Sequence, residues 1–356
     1  MMTRRTFVRA TSGLLGLIAP SRGLWAADVP AASTPPGPPA PPRIGKSTRV
    51  ADIAALEPAQ VVTASAKTCK VLQFTDFHFF RVTAAEDEQT VADCRRNIDR
   101  HQPDFVIASG DLWHDNPQGK GQGYLEFALK HFTSWGVPWA ICWGNHDLLD
   151  DYQKGHDMLE SADRSLYRGG ANHGDYRLEV RAPGAPPSSA PVLDVFFLNT
   201  NDEGLGPWQI DALQRMTTHV ASRRPKPAPA LLFFHVPLLD YETRIKADTF
   251  TGIKLEGVSR YKENGAAFPV ITAPKTIRAC FCGHNHVNDY VIKAPGVDLH
   301  YGRSTGYAGY GGEKLRKGAK LIEVDLATGA YQQTTVFADG SKPVGWRKAL
   351  AGAAVV

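Results

Sequence analysis

Apolar, β-like runs along this chain end, one after another, in residues that bind metals or move protons. The run 70–75 leads into Asp76-Phe77-His78, 104–109 into Gly110-Asp111, and 138–143 into Gly144-Asn145-His146-Asp147. Further on, 230–234 delivers His235 and 277–282 delivers Gly283-His284-Asn285-His286. Such an order places the polar residues at strand ends, where they can converge on one pocket. It constrains the chain to a fold that gathers those ends together.

The segments between the runs point the same way. Residues 86–100 and 124–135 have helical periodicity, so the first half reads strand, helix, strand, helix, strand. Apolar strands alternating with helices argue for a parallel sheet covered by helices. The second half differs. Residues 176–181 and 192–198 read as paired strands joined by the Pro/Ser-rich hairpin loop 182–191, and 207–224 as an amphipathic helix. Shorter strand-like runs follow at 290–293, 320–325 and 331–337. The expected fold is α/β, a sandwich of two β-sheets flanked by helices.

The ends of the chain look different from its middle. Thr3-Arg4-Arg5-Thr6-Phe7-Val8-Arg9 and the weakly apolar stretch after it form a twin-arginine signature, assigned to 1–27, with cleavage expected near Ala26 or Ala27. That stretch is too short, and too rich in Gly, Ser and Thr, to span a membrane. Residues 28–49 are a Pro-rich linker, which can form neither helix nor ladder. The domain is expected over 50–345, its last strand ending near Phe337, with 346–356 as a C-terminal tail. The whole chain carries +4, but Arg4, Arg5, Arg9 and Arg22 leave with the signal, so the mature chain is neutral. Neutrality argues against long nucleic acid as a partner, and no later run is long enough for a stable membrane anchor. The expected export partner is the twin-arginine machinery, and the expected location is periplasmic or secreted. Cys69, Cys94, Cys142, Cys280 and Cys282 are odd in number and lack framework spacing, so buried free thiols are expected.

Taken singly, the polar motifs are weak. Asp76 and His78 point the same way simply because they alternate in an extended segment. Gly283 allows a tight turn that brings His284 and His286 round one point. The ordered set is far more specific, and it resembles the calcineurin-like metallophosphoesterases. The resemblance covers the chain from Asp76 to at least His286. It implies a two-sheet sandwich with a dinuclear metal centre at the strand ends. Asp76, His78 and His286 would hold one metal, Asn145, His235 and His284 the other, and Asp111 would bridge them. His, Asp and Asn ligands without thiolate suit iron, manganese or zinc. The implied chemistry is in-line attack on a small-molecule phosphate ester by a hydroxide bridging the two metals. His146 would stand by the leaving group, with Asp147 holding its imidazole in the useful tautomer.

A narrower resemblance links Trp143 to Asp147, Phe234 to Leu238, Gly283 to Asp289 and Tyr301 to Gly311 with a small single-domain branch often labelled probable inactive purple acid phosphatase. His78 stands where purple acid phosphatases have Gly, and His114 where they have Tyr. A tyrosinate-to-iron absorption band is therefore not expected. On the substrate side, His114 and Asp115 follow the bridging aspartate closely. Arg303 reads either as a phosphate grip or as a salt bridge, and Tyr307 and Tyr310 either as a stacking platform or as packing. The leading reading is a phosphomonoesterase. A phosphodiesterase on the same centre, or a non-catalytic metal- or phosphate-binding protein, is the alternative.

Overall fold

The computed structural model describes residues 57–343 apart from 187, 202 and 342. The signal (1–27), the linker (28–49), the tail (346–356) and both domain boundaries lie outside the described residues.

Two sheets organise the chain. A five-stranded sheet runs in the order β13 (Tyr331–Val336), β12 (Ala319–Asp325), β2 (Thr68–Phe74), β3 (Phe105–Ser109), β4 (Trp139–Cys142). An eight-stranded sheet runs β1 (Ala59–Val62), β5 (Tyr176–Arg181), β6 (Leu193–Phe197), β7 (Ala230–Phe233), β9 (Ile277–Cys282), β11 (Val297–Tyr301), β10 (Asn288–Ala294), β8 (Phe250–Lys254). Strands β2, β3 and β4 are parallel, as the alternating pattern requires. The sheet as a whole is mixed, because β12 returns antiparallel beside β2 and β13 pairs with it. Strands β5 and β6 are antiparallel, so 182–191 does join a hairpin.

Period-two alternation decides which core each side chain enters. In the eight-stranded sheet Leu178, Val195, Phe197, Leu231, Phe233, Ala279 and Phe281 face the cluster that also holds Val71, Ile107 and Ala140 of the other sheet. Their neighbours Phe196, Leu232, Phe234, Cys280 and Cys282 enter a second cluster. That cluster includes Leu213 and Met216 of α4 (Pro207–Arg223) and Phe268 and Ile271 of the short helix Ala267–Thr272. Phe197, Phe233 and Phe281 stack across three strands at centroid distances of 5.8 and 4.8 Å. Each such ring is buried, worth about 1.5–3 kcal/mol.

Helices cover the first sheet too. From α1 (Ala84–His101) come Cys94 and Ile98, from α2 (Gly121–Ser134) Leu125 and Phe132, and from α3 (Tyr152–Ser161) Leu159. Helix α1 starts after Thr83, carries Glu86 and Asp87 in its first turn and Arg100 and His101 in its last, and stops at left-handed Gln102 before Pro103. All five cysteines are buried free thiols. No helix of the described residues is long and apolar enough to cross a membrane.

Candidate metal centre

The carboxyl ends of β2, β3 and β4 meet those of β7 and β9, and backbone bonds lock the loops within each sheet. Asp76 and His78 donate N–H bonds to the carbonyls of Gly110 and Asp111, each at 3.0 Å, and Gly283 donates to that of His235 at 3.0 Å. Three side-chain bonds tie the loops further. The N–H groups of His284 and His146 donate to Asp76 Oδ1 (3.0 Å) and Asp111 Oδ1 (2.9 Å), and His235 Nδ1 donates to the Ser109 carbonyl (2.8 Å).

This convergence strains the backbone. Asp76, His78, Asp111, Asp115 and His284 all have left-handed φ, between 51° and 77°. Each costs of order 1–3 kcal/mol outside glycine. Asp and His are among the residues that tolerate the region best. Two glycines answer a different need, close approach. A Cβ on Gly144 would collide with the Asp111 backbone nitrogen and carboxylate, and one on Gly283 with the Thr75 hydroxyl.

Two groups of ligand atoms result, Asp76/His78/His286 and Asp111/His235/His284, each with its donor atoms within 4.8 Å of one another. Asp111 Oδ2 lies between them, 3.4 Å from His78 Nε2 and 3.1 Å from His235 Nε2. Asn145 is buried on the same loop as His146. Every one of these side chains except His284 is fully or almost fully buried.

The donor set fits a metal. Because Nδ1 of His235 gives its proton to a carbonyl, neutral His235 turns an Nε2 lone pair toward a carboxylate oxygen at 3.1 Å. Two acceptors at that distance require a positive charge between them. Among the protein's own groups that charge is a proton on Nε2: burial lowers the His235 pKa, but the Asp111 charge and contact overcome it and push it up to about 9. Burial likewise raises Asp111, yet His235 and His78 hold it well below the usual carboxylate range. An imidazole that donates through Nδ1 to a carbonyl and offers Nε2 is the arrangement metal-ligating histidines adopt. His286 has it too, with Nδ1 3.2 Å from the Tyr310 carbonyl and Nε2 3.4 Å from Asp76 Oδ1.

A cleft of about 350 Å³ opens over these ligands. His146 lines it beside His114, the two rings stacked at 4.6 Å. The structure corrects the expected partner of His146. Asp147 does not reach that imidazole. Its Oδ1 accepts from the N–H groups of Leu112 (2.6 Å) and Trp113 (3.2 Å), and its Oδ2 from that of Gly144 (2.7 Å). Both oxygens are consumed in clamping the loops after β3 and β4. Burial and the Asp111 charge push its carboxyl up to about 8, against the Gly144 and Trp113 donors. Asp115 takes the orienting place instead, its Oδ1 2.8 Å from His146 Nδ1.

Arg303 is the second correction. It is 2 % exposed, and Nε and Nη2 engage Asp289 Oδ2 at 2.6 and 2.5 Å while Nη1 donates to the Arg316 carbonyl at 2.9 Å. It is absent from the cleft lining and grips a carboxylate, not substrate. Tyr307 also turns away, its hydroxyl 2.7 Å from Asp93 Oδ2. Tyr310 does line the cleft, lying flat on His286 at 4.0 Å with its hydroxyl 2.9 Å from the Glu256 carboxylate. Sequence reasoning missed Arg81, Ser259 and Tyr261, which also line it. Only Arg81 carried a signal, its place three residues after His78.

Comparison with known proteins agrees with this architecture. Residues 69–288 match the family model described as calcineurin-like phosphoesterase. Two Arabidopsis thaliana proteins named probable inactive purple acid phosphatase 28 and 14 are similar, at 27 % and 25 % identity, each over 74 % of this chain and 76 % of its own length. The solved structure of a dimetal phosphatase from Danio rerio superposes with a TM-score of 0.51 at 12 % identity, covering 76 % of this chain and 99 % of that one. With the match spanning most of the chain and the ligand loops at its strand ends, this protein belongs to the calcineurin-like phosphoesterase family.

Proposed function

We propose that this protein is a periplasmic or secreted hydrolase of small phosphomonoesters that works with two metal ions, iron, manganese or zinc. The observation that carries the reading is the His146–Asp115 pair beside the ligand groups. A protein that only held metal or phosphate would need no oriented imidazole at the cleft.

Asp76, His78 and His286 would hold one ion, and Asn145, His235 and His284 the other, with Asp111 shared. Bound there, the ions would supply charge neutralisation for phosphate oxygens and a water of lowered pKa. The rest falls to the chain. Asp115 accepts from the Nδ1–H of His146, which fixes the ring and aims Nε2, which would carry the second proton of an imidazolium, at the oxygen of the departing alcohol. His114, stacked on that ring, limits its swing. A cleft of about 350 Å³ suits a small ester rather than a polymer.

The test is to purify the chain without chelator and measure metal content beside hydrolysis of p-nitrophenyl phosphate and bis-p-nitrophenyl phosphate. About two metals per chain and faster turnover of the monoester, abolished by EDTA, is the expected result. A faster diester would make the chain a phosphodiesterase. Two metals without turnover of either would favour a binding protein, in keeping with the word inactive in the relatives' names. Export rests on the Arg4-Arg5 signature. Replacing both by lysine should strand the protein in the cytoplasm, and an unchanged periplasmic fraction would refute that route.

A further inference from the structure

Arg81 is the one permanent cation among the described residues that line the metal cleft. Its backbone is set by a chain of constraints. His78 and Phe79 donate N–H bonds to the carbonyls of Asp111 (3.0 Å) and Leu112 (3.1 Å), which ties the segment to the loop after β3. Phe80 then has φ 65°, a left-handed backbone that is a genuine outlier for a bulky aromatic. Its ring stacks on Tyr124 at 4.1 Å and 12°, meets Phe127 edge-on, and its N–H donates to Asp87 Oδ2 at 3.0 Å. The N–H of Arg81 closes the turn onto the His78 carbonyl at 3.2 Å. Such an outlier persists only where its surroundings over-determine it, and here the outcome is a guanidinium set beside the metal ligands.

The guanidinium itself is under-used. Nη1 donates to the Ala308 carbonyl at 2.8 Å, which engages one of its five N–H donors. The side chain is exposed, and among the described residues it has no carboxylate within ion-pair reach. Arg303, by contrast, has no face left for a ligand.

We propose that Arg81 grips the peripheral oxygens of a terminal phosphate and so makes the cleft selective for phosphomonoesters over diesters. The proposal rests on the phosphatase reading above. A planar fork of N–H groups matches two phosphate oxygens at once, and such charge-assisted pairs are the strong ones. A monoester carries close to two negative charges at neutral pH, its second pKa being about 6. A diester carries one charge, and a carbon group caps an oxygen the fork would hold. Loss of Arg81 therefore weakens the monoester more.

The test uses the full chain loaded with manganese. Arg81→Ala should raise KM for p-nitrophenyl phosphate, and the inhibition constant of inorganic phosphate, by about ten- to a hundredfold. The loss of kcat/KM on bis-p-nitrophenyl phosphate should be several-fold smaller. Arg81→Lys should recover part of the phosphate affinity, and metal content should match wild type in both variants. Unchanged phosphate affinity in Arg81→Ala, or equal losses on the two esters, would overturn the proposal. If wild type hydrolyses neither ester, the phosphatase reading fails, and calorimetric titration of inorganic phosphate still decides for Arg81. Weaker binding in the alanine variant supports the grip; equal binding refutes it.

Discussion

Two of the chain's buried carboxylates, Asp289 and Asp111, are treated differently. Asp289, on β10, is met by Arg303, by Lys320 of β12 and by the Thr335 hydroxyl of β13, so every neighbour is a donor. Burial raises its pKa, but Arg303 and Lys320 outweigh that and hold it below its ordinary value. Asp111 is met by ring nitrogens at 3.1 and 3.4 Å, in a group that can take a cation. The first cluster is closed and staples the two sheets together. The second is open toward the cleft, and its ring nitrogens and carboxylate are reconciled by a shared cation, a proton on His235 or a metal ion. A buried charge thus marks a binding site when its neighbours are acceptors, and a structural tie when they are donors.

That contrast can be broken at either end. The largest effect should come from Asp111→Asn, which removes the group facing both ligand sets. Both metals should leave together, and activity should drop by more than about 10⁴-fold. Elemental analysis showing that one ion stays would refute the shared position. His146→Ala should keep both metals and lose about 10²–10⁴-fold in kcat. Asp115→Asn should produce a smaller loss in the same direction, while Asp147→Asn should act mainly on loop stability. If Asp147→Asn alone mimicked His146→Ala with full stability, the orienting role of Asp115 would fall.

The closed cluster should behave in the opposite way. Asp289→Ala leaves Arg303 and Lys320 buried without their carboxylate, at a cost of about 3–5 kcal/mol of stability by denaturant titration. The folded fraction should still bind two metals, and a loss of metal proportionate to that of Asp111→Asn would erase the distinction. The smallest effect concerns acid. His156 is 3 % exposed, bonded to the Tyr167 hydroxyl at 2.7 Å, and burial lowers its pKa to about 4. Its unfolded value is near 6.5, so the unfolded chain takes up the proton first as pH falls. Stability should be intact above pH 6.5 and decline to pH 4 by about 3 kcal/mol from this group. His156→Gln should flatten that decline in the metal-free protein, and an identical slope would refute the assignment.

Much of the fold was legible because its signals are local. β5 and β9 fall at the expected residues, and α1 begins and ends within two residues of expectation. Strands β1, β8 and β11 were not foreseen, being four or five residues long, and β1 and β8 pair with strands far away in sequence. The ligand residues were legible as a set because each follows a strand. Their geometry was not, since the left-handed φ at Asp76, His78, Asp111 and His284 falls on residues other than glycine, although Gly110 and Gly283 stand beside two of them.

The same limit explains the two corrections. Asp147 adjoins His146 in sequence, yet its oxygens are drawn to backbone N–H groups of another loop. Asp115 is 31 residues away and makes the bond. Arg303 sits in a Gly/Tyr-rich loop that looks ready for phosphate, until β10 brings Asp289 against it.

Sequence alone determined which residue types stand at the strand ends, because hydrophobic period and glycine placement are properties of neighbouring residues. Which carboxylate orients His146, which arginine is consumed and which is left facing the cleft were decided by tertiary structure. A hydrogen bond or ion pair forms between groups that strand order brings within 3 Å, and that order is settled by burying both faces of two sheets at once.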